Sequence, residues 1–324
     1  MVTPRITAFL SCDWGTSTFR LRLVQCGIRL EVIDELRSDR GVRSFDAGAD
    51  GFEVYLREVM EAMDAPPVPV LISGMASSSV GWKELPYAHV PFNVTDTTGL
   101  HHESLTIRYR GAQLPVHLFS GVRTISDIMR GEESELVGIL TLPEIRAAAT
   151  EQCLVIMPGT HCKHVCIENG RMIDFTTFMT GEMFELLACQ SILRATVDWE
   201  SLGETSKAYD ASFVEGVCAA RDHGLAATLF KTRTRGVLDG VGSSLNLRYL
   251  LGLLIGDEMK KLGHSSEPIV LAAQYPHYYK IALETLGLSS SQLICLTPGQ
   301  LAHATVRTHA AWLINQDAAS SSPL

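Results

Sequence analysis

The sequence predicts an α/β fold in two related halves, and three observations carry that prediction. Short, continuous apolar runs at 68–72 and 268–273 suit strands of a parallel sheet covered on both faces. Apolar residues at near-helical spacing at 52–63 and 247–262 supply covering helices. A strand, Gly-Thr turn, strand pattern occurs twice, around Gly15-Thr16 and around Gly159-Thr160. A repeat this long means two related domains and not a solenoid.

Residues 9–24 form the first copy, with Asp13 closing the leading strand. Glycine permits close backbone approach, so such a turn aims N–H groups and hydroxyls at an anion. A carboxylate beside that anion repels it unless a cation lies between them. The combination suggests a metal-nucleotide site, with Asp13 towards Mg²⁺ through water and the turn around phosphate oxygens. A plain hairpin capped by Asp and Gly-Thr accounts for the same residues. Alternation predicts a third strand at 28–36. The helix at 52–63 stops at Pro66-Pro67. The strand at 68–72 runs into a small, hydroxyl-rich loop, 73–83, and ligands of open α/β sheets sit beyond such strand ends.

Residues 101–115 read as polar and irregular, 116–119 as a strand, and Ser120-Gly121 as a joint. Glu132 and Glu133 then open a helix, where acids complement its dipole. The second Gly-Thr copy spans 154–167, with Met157 where the first has Asp13. From 188 to 262 the pattern is mainly helical, with loops near 201–203 and 240–244. A helix at 277–286, a short strand at 294–296 and a helix at 302–314 close the chain before a frayed tail. Cys162, His164 and Cys166 share one strand face, but no partnering ligand pair accompanies them, which favours strand packing over zinc.

The chain has 324 residues, 46% hydrophobic and 19% charged, within the range of a globular protein with a large core. Its net charge of −9, from 27 basic and 36 acidic residues, argues against a nucleic-acid partner. It leaves room for a small anionic substrate. Eight scattered cysteines, several in apolar runs, suit free thiols in a reducing cytoplasm. No basic start with a long apolar run and no membrane-length apolar stretch is present, so neither secretion nor a membrane partner is expected.

Five segments in this order resemble the 2-dehydro-3-deoxygalactonokinase family, sugar-acid kinases of the actin, hexokinase and Hsp70 superfamily. They are Asp13-Trp14-Gly15-Thr16-Ser17; Gly74-Met75-Ala76 with Gly81-Trp82-Lys83; Met129-Arg130-Gly131-Glu132-Glu133; Met157-Pro158-Gly159-Thr160-His161-Cys162-Lys163; and Met179-Thr180-Gly181-Glu182. The resemblance implies two ribonuclease-H-like domains with an interdomain cleft. They are expected as 1–119 on the sugar-acid side and 120–324, with a helical insertion, on the nucleotide side. It implies ATP and Mg²⁺ as cofactors. The implied reaction phosphorylates the C6 hydroxyl of 2-dehydro-3-deoxy-D-galactonate, in galactonate and galactose catabolism. It leaves room for a homodimer.

Roles follow from what phosphoryl transfer needs: positioning, charge neutralisation and an oriented nucleophile. Asp13 is expected on the metal, and Gly15, Thr16 and Ser17 on phosphate. Gly159 and Thr160 clasp phosphate from the other domain, and Lys163 reaches towards it. Glu132 or its neighbour Glu133 is the expected base, while helix-dipole capping explains both equally. Ser77, Ser78, Lys83 and the backbone from Gly74 are expected on the substrate carboxylate, and Thr180 and Glu182 on sugar hydroxyls. Arg20 and Arg22 share a strand face; neutralising phosphate is one role open to them, and salt bridges are their expected fate. One departure stands out. Related kinases have a glycine-containing turn after the late strand, and Ala272-Ala273-Gln274-Tyr275-Pro276 has none. A second reading therefore stands beside the kinase: a non-catalytic sugar-acid binding or regulatory protein on the same fold.

Overall fold

The computed structural model describes residues 7–46, 50–94, 97–262, 266–274 and 276–321. The chain divides into two compact units. The first comprises 1–151, 168–174 and 299–324, and the second 152–167 and 175–298. This division differs from the expected boundary after residue 119. The Glu132–Leu140 helix and the C-terminal helix Ala304–Ser321 both belong to the first unit, which a single cut in the sequence cannot reproduce.

The first unit is built on β1 (Ala8–Trp14), β2 (Phe19–Cys26), β3 (Leu30–Ser38), β4 (Val70–Gly74), β5 (His102–Tyr109) and β6 (Ala112–Phe119). They lie in the order β3-β2-β1-β4-β6-β5. β1, β2 and β3 are antiparallel, whereas β4 runs parallel to β1 and β6 parallel to β4. This is the ribonuclease-H-like arrangement. Alternation along β1 sorts its side chains. Leu10, Cys12 and Trp14 enter a core with Phe52, Leu56 and Met60 of the helix Gly51–Ala62. Ser11 and Asp13 face the other way, and that polar face carries the chemistry.

A second sheet contains β7 (Gln152–Met157), β8 (Cys162–Glu168), β9 (Arg171–Phe178), β10 (Ile269–Leu271) and β11 (Leu293–Cys295), all in the second unit except residues 168–174. Their order, β11-β10-β7-β8-β9, repeats that of the first five strands of the other sheet. β10 runs parallel to both β7 and β11. Both halves therefore carry one topology, as the paired Gly-Thr turns predict. The long helices Lys207–His223 and Ser243–Met259 pack on this sheet through Phe213, Val217, Ile255 and Met259. Among the described residues, no helix is long and apolar enough to cross a membrane.

Three expectations need correction. The polar stretch 101–115 contains β5, an edge strand whose buried Ile107 and Tyr109 lie among exposed polar neighbours, so its alternation is faint. β9 was not expected as a strand, although Asn169 and Gly170 have φ of 50° and 70°, the double positive φ of a tight hairpin turn. β3 starts at Leu30, because Ile28 is fully exposed at the preceding turn.

Gly138 gives a stability prediction. A Cβ there would lie 1.8 Å from the Ala304 carbonyl oxygen, where two helices of the first unit meet. Backbone cannot yield as a side-chain end does, so Gly138→Ala should lower unfolding free energy by about 3 kcal/mol, near the upper end for overpacking. Urea titration of the variant checks it.

Candidate active site

The first Gly-Thr turn is braced on both flanks. Gly15 N–H donates to the Thr18 carbonyl at 2.8 Å, and the Gly15 and Thr16 carbonyls accept from Val42 and Arg43 at 3.0 and 3.3 Å. Gly41 makes that approach feasible, since a Cβ there would sit 2.4 Å from Ser17 N. Thr16 is partly exposed and Ser17 exposed, so their polar groups face solvent at the end of β1.

Asp13 is directly opposite Arg20 of β2 on one side and Ser73 of β4 on the other. Burial raises the Asp13 carboxyl above its usual range, the guanidinium groups of Arg20 and Arg22 oppose that rise, and Glu132 adds to it. Arg22, itself buried, is spent in an ion pair with the partly exposed Glu35 at 2.5 Å, as expected. Arg20 is not, since its Nε is buried without a hydrogen-bond partner. Asp13, Thr18, Arg20, Arg37 and Ser38 line a cavity of about 340 Å³. An open guanidinium beside a carboxylate at a strand end suits an anion carried with a cation.

The helix Glu132–Leu140 brings three acids to this end of the sheet. Gly131 opens it with φ 107°, and a Cβ there would come within 3.4 Å of Gly74 Cα, so two glycines let the helix start meet the end of β4. Glu132 accepts from the Arg130 N–H at 3.0 Å and stays partly exposed. Glu133 is fully buried, accepting from Gly131 N–H at 2.7 Å and from Ser134 at 2.9 Å. That burial removes it from contact with any substrate. Glu135 was not expected here. Burial, followed by the nearby Asp13 and Glu132, pushes it up to about 7, and burial with Glu132 does the same for Glu133.

These two shifts carry a pH prediction. Both carboxyls bind protons more tightly folded than unfolded. Their contribution to stability is fully present below the ordinary carboxyl range and is lost as pH rises through about 7. Glu135→Gln should flatten the fall in urea-unfolding midpoint between about pH 5 and about pH 8. An unchanged slope would remove Glu135 from the account.

The loop after β4 is committed to structure more than expected. Ser77 Oγ donates to the Phe119 carbonyl at 2.6 Å and accepts from Arg130 Nη1 at 2.6 Å. Ser78 Oγ donates to the Met75 carbonyl at 2.7 Å. Neither hydroxyl proton is left for a substrate carboxylate. Lys83 is ion-paired with Glu103. Gly74 has φ 98°, and a Cβ there would meet the Trp14 carbonyl oxygen at 2.7 Å.

In the second unit, Gly159 and Thr160 are exposed on a turn held from beneath. Cys162 Sγ contacts both Gly159 N and O, at 3.5 and 3.3 Å, and Tyr279 Oη at 3.1 Å. The Glu182 N–H donates to the Thr160 carbonyl at 3.0 Å, and the Glu182 carboxylate meets His161 Nε2 at 2.6 Å. Lys163 is buried and donates to the His161 carbonyl at 2.9 Å, so it braces the turn instead of projecting from it. His164 pairs with Glu258 at 2.9 Å, and Cys166 is exposed.

Beside this turn lies a cavity of about 440 Å³, lined by Gly159, Thr180, Gly181, Phe184, Ala273 and Gln274 among others. Its floor includes the segment that lacks glycine. Ala272 N–H donates to the Ile156 carbonyl at 2.8 Å, and Ala272 and Ala273 are buried. The Ala273 methyl leaves room in the cavity where a bulkier side chain would not. Tyr275 lies outside the described residues.

The chain as a whole has counterparts among known proteins. The model of the 2-keto-3-deoxy-galactonokinase family matches residues 13–302. The chain belongs to that family. It is 32% identical over 289 residues to the "probable 2-dehydro-3-deoxygalactonokinase" of Rhizobium meliloti (strain 1021), covering 87% of this chain and 90% of the relative. It is 30% identical over 254 residues to the 2-dehydro-3-deoxygalactonokinase of Escherichia coli (strain K12), covering 78% and 80%. A crystal structure from Sinorhizobium meliloti with the same kinase designation superposes with a TM-score of 0.76 at 29% identity, covering 94% of this chain and 99% of that one. Membership makes the chain a sugar kinase of the actin-like ATPase fold, with ATP as a substrate.

Two residues at this end of the first sheet go beyond the sequence-based expectation: Arg20, for which a salt bridge is expected ahead of phosphate neutralisation, and Glu135, for which no role is expected. Register alone signals Arg20, which falls opposite Asp13 once β1 and β2 are paired about the Gly-Thr turn. Glu135 needs the third dimension.

Proposed function

We propose that this protein transfers the γ-phosphoryl group of ATP to the C6 hydroxyl of 2-dehydro-3-deoxy-D-galactonate, in the cytoplasm, as a step of galactonate catabolism. The match to the galactonokinase family over residues 13–302 carries this reading. The C6 oxygen bonds to the γ-phosphorus as the bond from phosphorus to the ADP leaving oxygen breaks. The hydroxyl proton passes to Glu132, whose partly exposed carboxylate is the accessible member of the Glu132-Glu133 pair. Glu133 is withdrawn from that role by its burial.

Asp13 fits Mg²⁺ held through water. Its carboxyl is partly exposed and stands beside the cavity of Arg20 and Thr18, and Mg²⁺ bound to nucleotide needs one or two carboxylates, not a full protein cage. Bound there, the ion would neutralise phosphate charge. Thr16, Ser17 and Arg20 are the candidate phosphate donors of the first unit, while Gly15 spends its N–H on the Thr18 carbonyl and shapes the turn; Gly159 and Thr160 are the candidates of the second. The cavity of Thr180, Gly181, Phe184 and Ala273 takes the nucleoside, with Ala273 supplying the close approach that glycine gives elsewhere. For the substrate carboxylate, the backbone from Gly74 is a better donor than Ser77 or Ser78. Lys83 serves only if Glu103 releases it, and Glu182 reaches a sugar hydroxyl only if His161 does.

A coupled ADP-release screen across sugar acids and neutral hexoses tests the substrate class. Turnover confined to 2-keto-3-deoxy acids is expected, and a hexose preference would overturn the assignment.

A further inference from the structure

One buried hydrogen-bond chain crosses the polar face of the first sheet and is used by none of the roles above. Ser11 Oγ lies 2.8 Å from His309 Nδ1, and Ser73 Oγ lies 2.9 Å from His309 Nε2. Ser73 Oγ meets Ser134 Oγ at 2.7 Å, and Ser134 Oγ meets Glu133 Oε1 at 2.9 Å. Glu133 Oε2 takes the Gly131 N–H at 2.7 Å. All five side chains are at least 97% buried, which leaves little room for water to exchange with any link. The chain ties β1, β4, the Glu132–Leu140 helix and the C-terminal helix together.

Its direction follows from proton counting. Both Glu133 oxygens accept, so Ser134 gives its one proton to the carboxylate. Ser134 must then accept from Ser73, and Ser73 must accept from His309 Nε2–H. That leaves Nδ1 bare to accept from Ser11. The carboxylate at one end thereby sets the tautomer of an imidazole at the other. His309 stays neutral, since burial pushes it down to about 3, and Phe119 stacks on its ring at 5.2 Å.

We propose that this chain is a positioning relay, in which His309 and Ser73 act through Ser134 and Glu133 to hold the Gly131 turn and so aim Glu132 beside Asp13. The relay rests on the reading of Glu132 as the base. Asp13 and Ser73 are direct neighbours across β1 and β4, and Ser11 lies two residues before Asp13. The same links that fix Glu133 therefore fix the strand ends that carry the acid. His309 neither touches substrate nor moves a proton in the reaction.

Imidazole ¹⁵N NMR on the intact, ¹⁵N-histidine-labelled protein tests it, above the pH at which Glu133 titrates. The wild-type chain should show His309 protonated at Nε2 and bare at Nδ1. In Glu133→Gln, the amide oxygen must face the Gly131 N–H and the amide NH₂ must donate to Ser134. Every link then reverses, and His309 should become protonated at Nδ1. A wild-type Nδ1–H tautomer, or a tautomer unmoved by the substitution, overturns the relay, and the wild-type measurement needs no variant to fold. Ser73→Ala should lower kcat about tenfold or more with KM for ATP within about twofold, because slight misplacement costs chemistry before binding. An unchanged kcat would also overturn the proposal. Should Glu132→Gln turn over normally, the base assignment fails by itself, and the tautomer still decides whether the relay exists.

Discussion

Glu132→Gln should lose turnover by about three orders of magnitude while sugar-acid binding changes little, as expected when a positioned general base is neutralised. The amide keeps an oxygen that can accept from the Arg130 N–H, so the helix start at Gly131 should hold its shape. What disappears is the group that takes the hydroxyl proton. A lesser role, capping the helix dipole, predicts something else: a stability loss of about 0.3–1 kcal/mol and near-normal kcat. Steady-state kinetics with calorimetric binding of the sugar acid separates the two. Glu133→Gln is a poor substitute for this experiment, because Glu133 anchors Gly131 N–H and Ser134 at once.

Gly181→Ala should raise KM for ATP more than tenfold and leave sugar-acid affinity intact. A Cβ at Gly181 would stand 2.3 Å from the Gly159 carbonyl oxygen and 2.8 Å from Thr160 Cα, both backbone atoms of the second Gly-Thr turn. The turn has little freedom to retreat. Cys162 and Tyr279 hold it from one side, and the Glu182 N–H holds Thr160 from another. Phosphate donors on a displaced turn lose their aim, and the nucleoside cavity beside them changes shape as well. The effect belongs to the second unit, so the acids of the first should be unaffected. A KM for ATP equal to that of the wild type would take Gly159 and Thr160 out of the phosphate site.

Much of the fold was legible because its signals are local. The apolar runs of β4 and β10, the Gly-Thr turns and the acid-opened helix each announce themselves within ten residues. β5 and β9 were hidden for different reasons. β5 is an edge strand with one polar face, and β9 is marked mainly by the Asn169-Gly170 turn before it. At the site, residues near the turns were found, but their spare hydrogen-bonding capacity was not. Ser77, Ser78 and Lys163 have the right chemistry in sequence and spend it on carbonyls in the fold. Arg20 shows the reverse: expected in a salt bridge like Arg22, it retains a buried Nε without a partner. His309 and Ser11 are 298 residues apart, a pairing that no local pattern encodes.

The absence of glycine from residues 272–276 raised the second reading, a sugar-acid binding protein without catalysis. Ala273 lines the apolar cavity that also contains Gly181, which supports a nucleoside site and favours the kinase. The most direct test incubates purified protein with ATP, Mg²⁺ and 2-dehydro-3-deoxy-D-galactonate and follows ADP and the phosphate ester together. The kinase account predicts one ADP for each ester formed, with phosphorus on the C6 oxygen. Sugar-acid binding with no ADP released would contradict it.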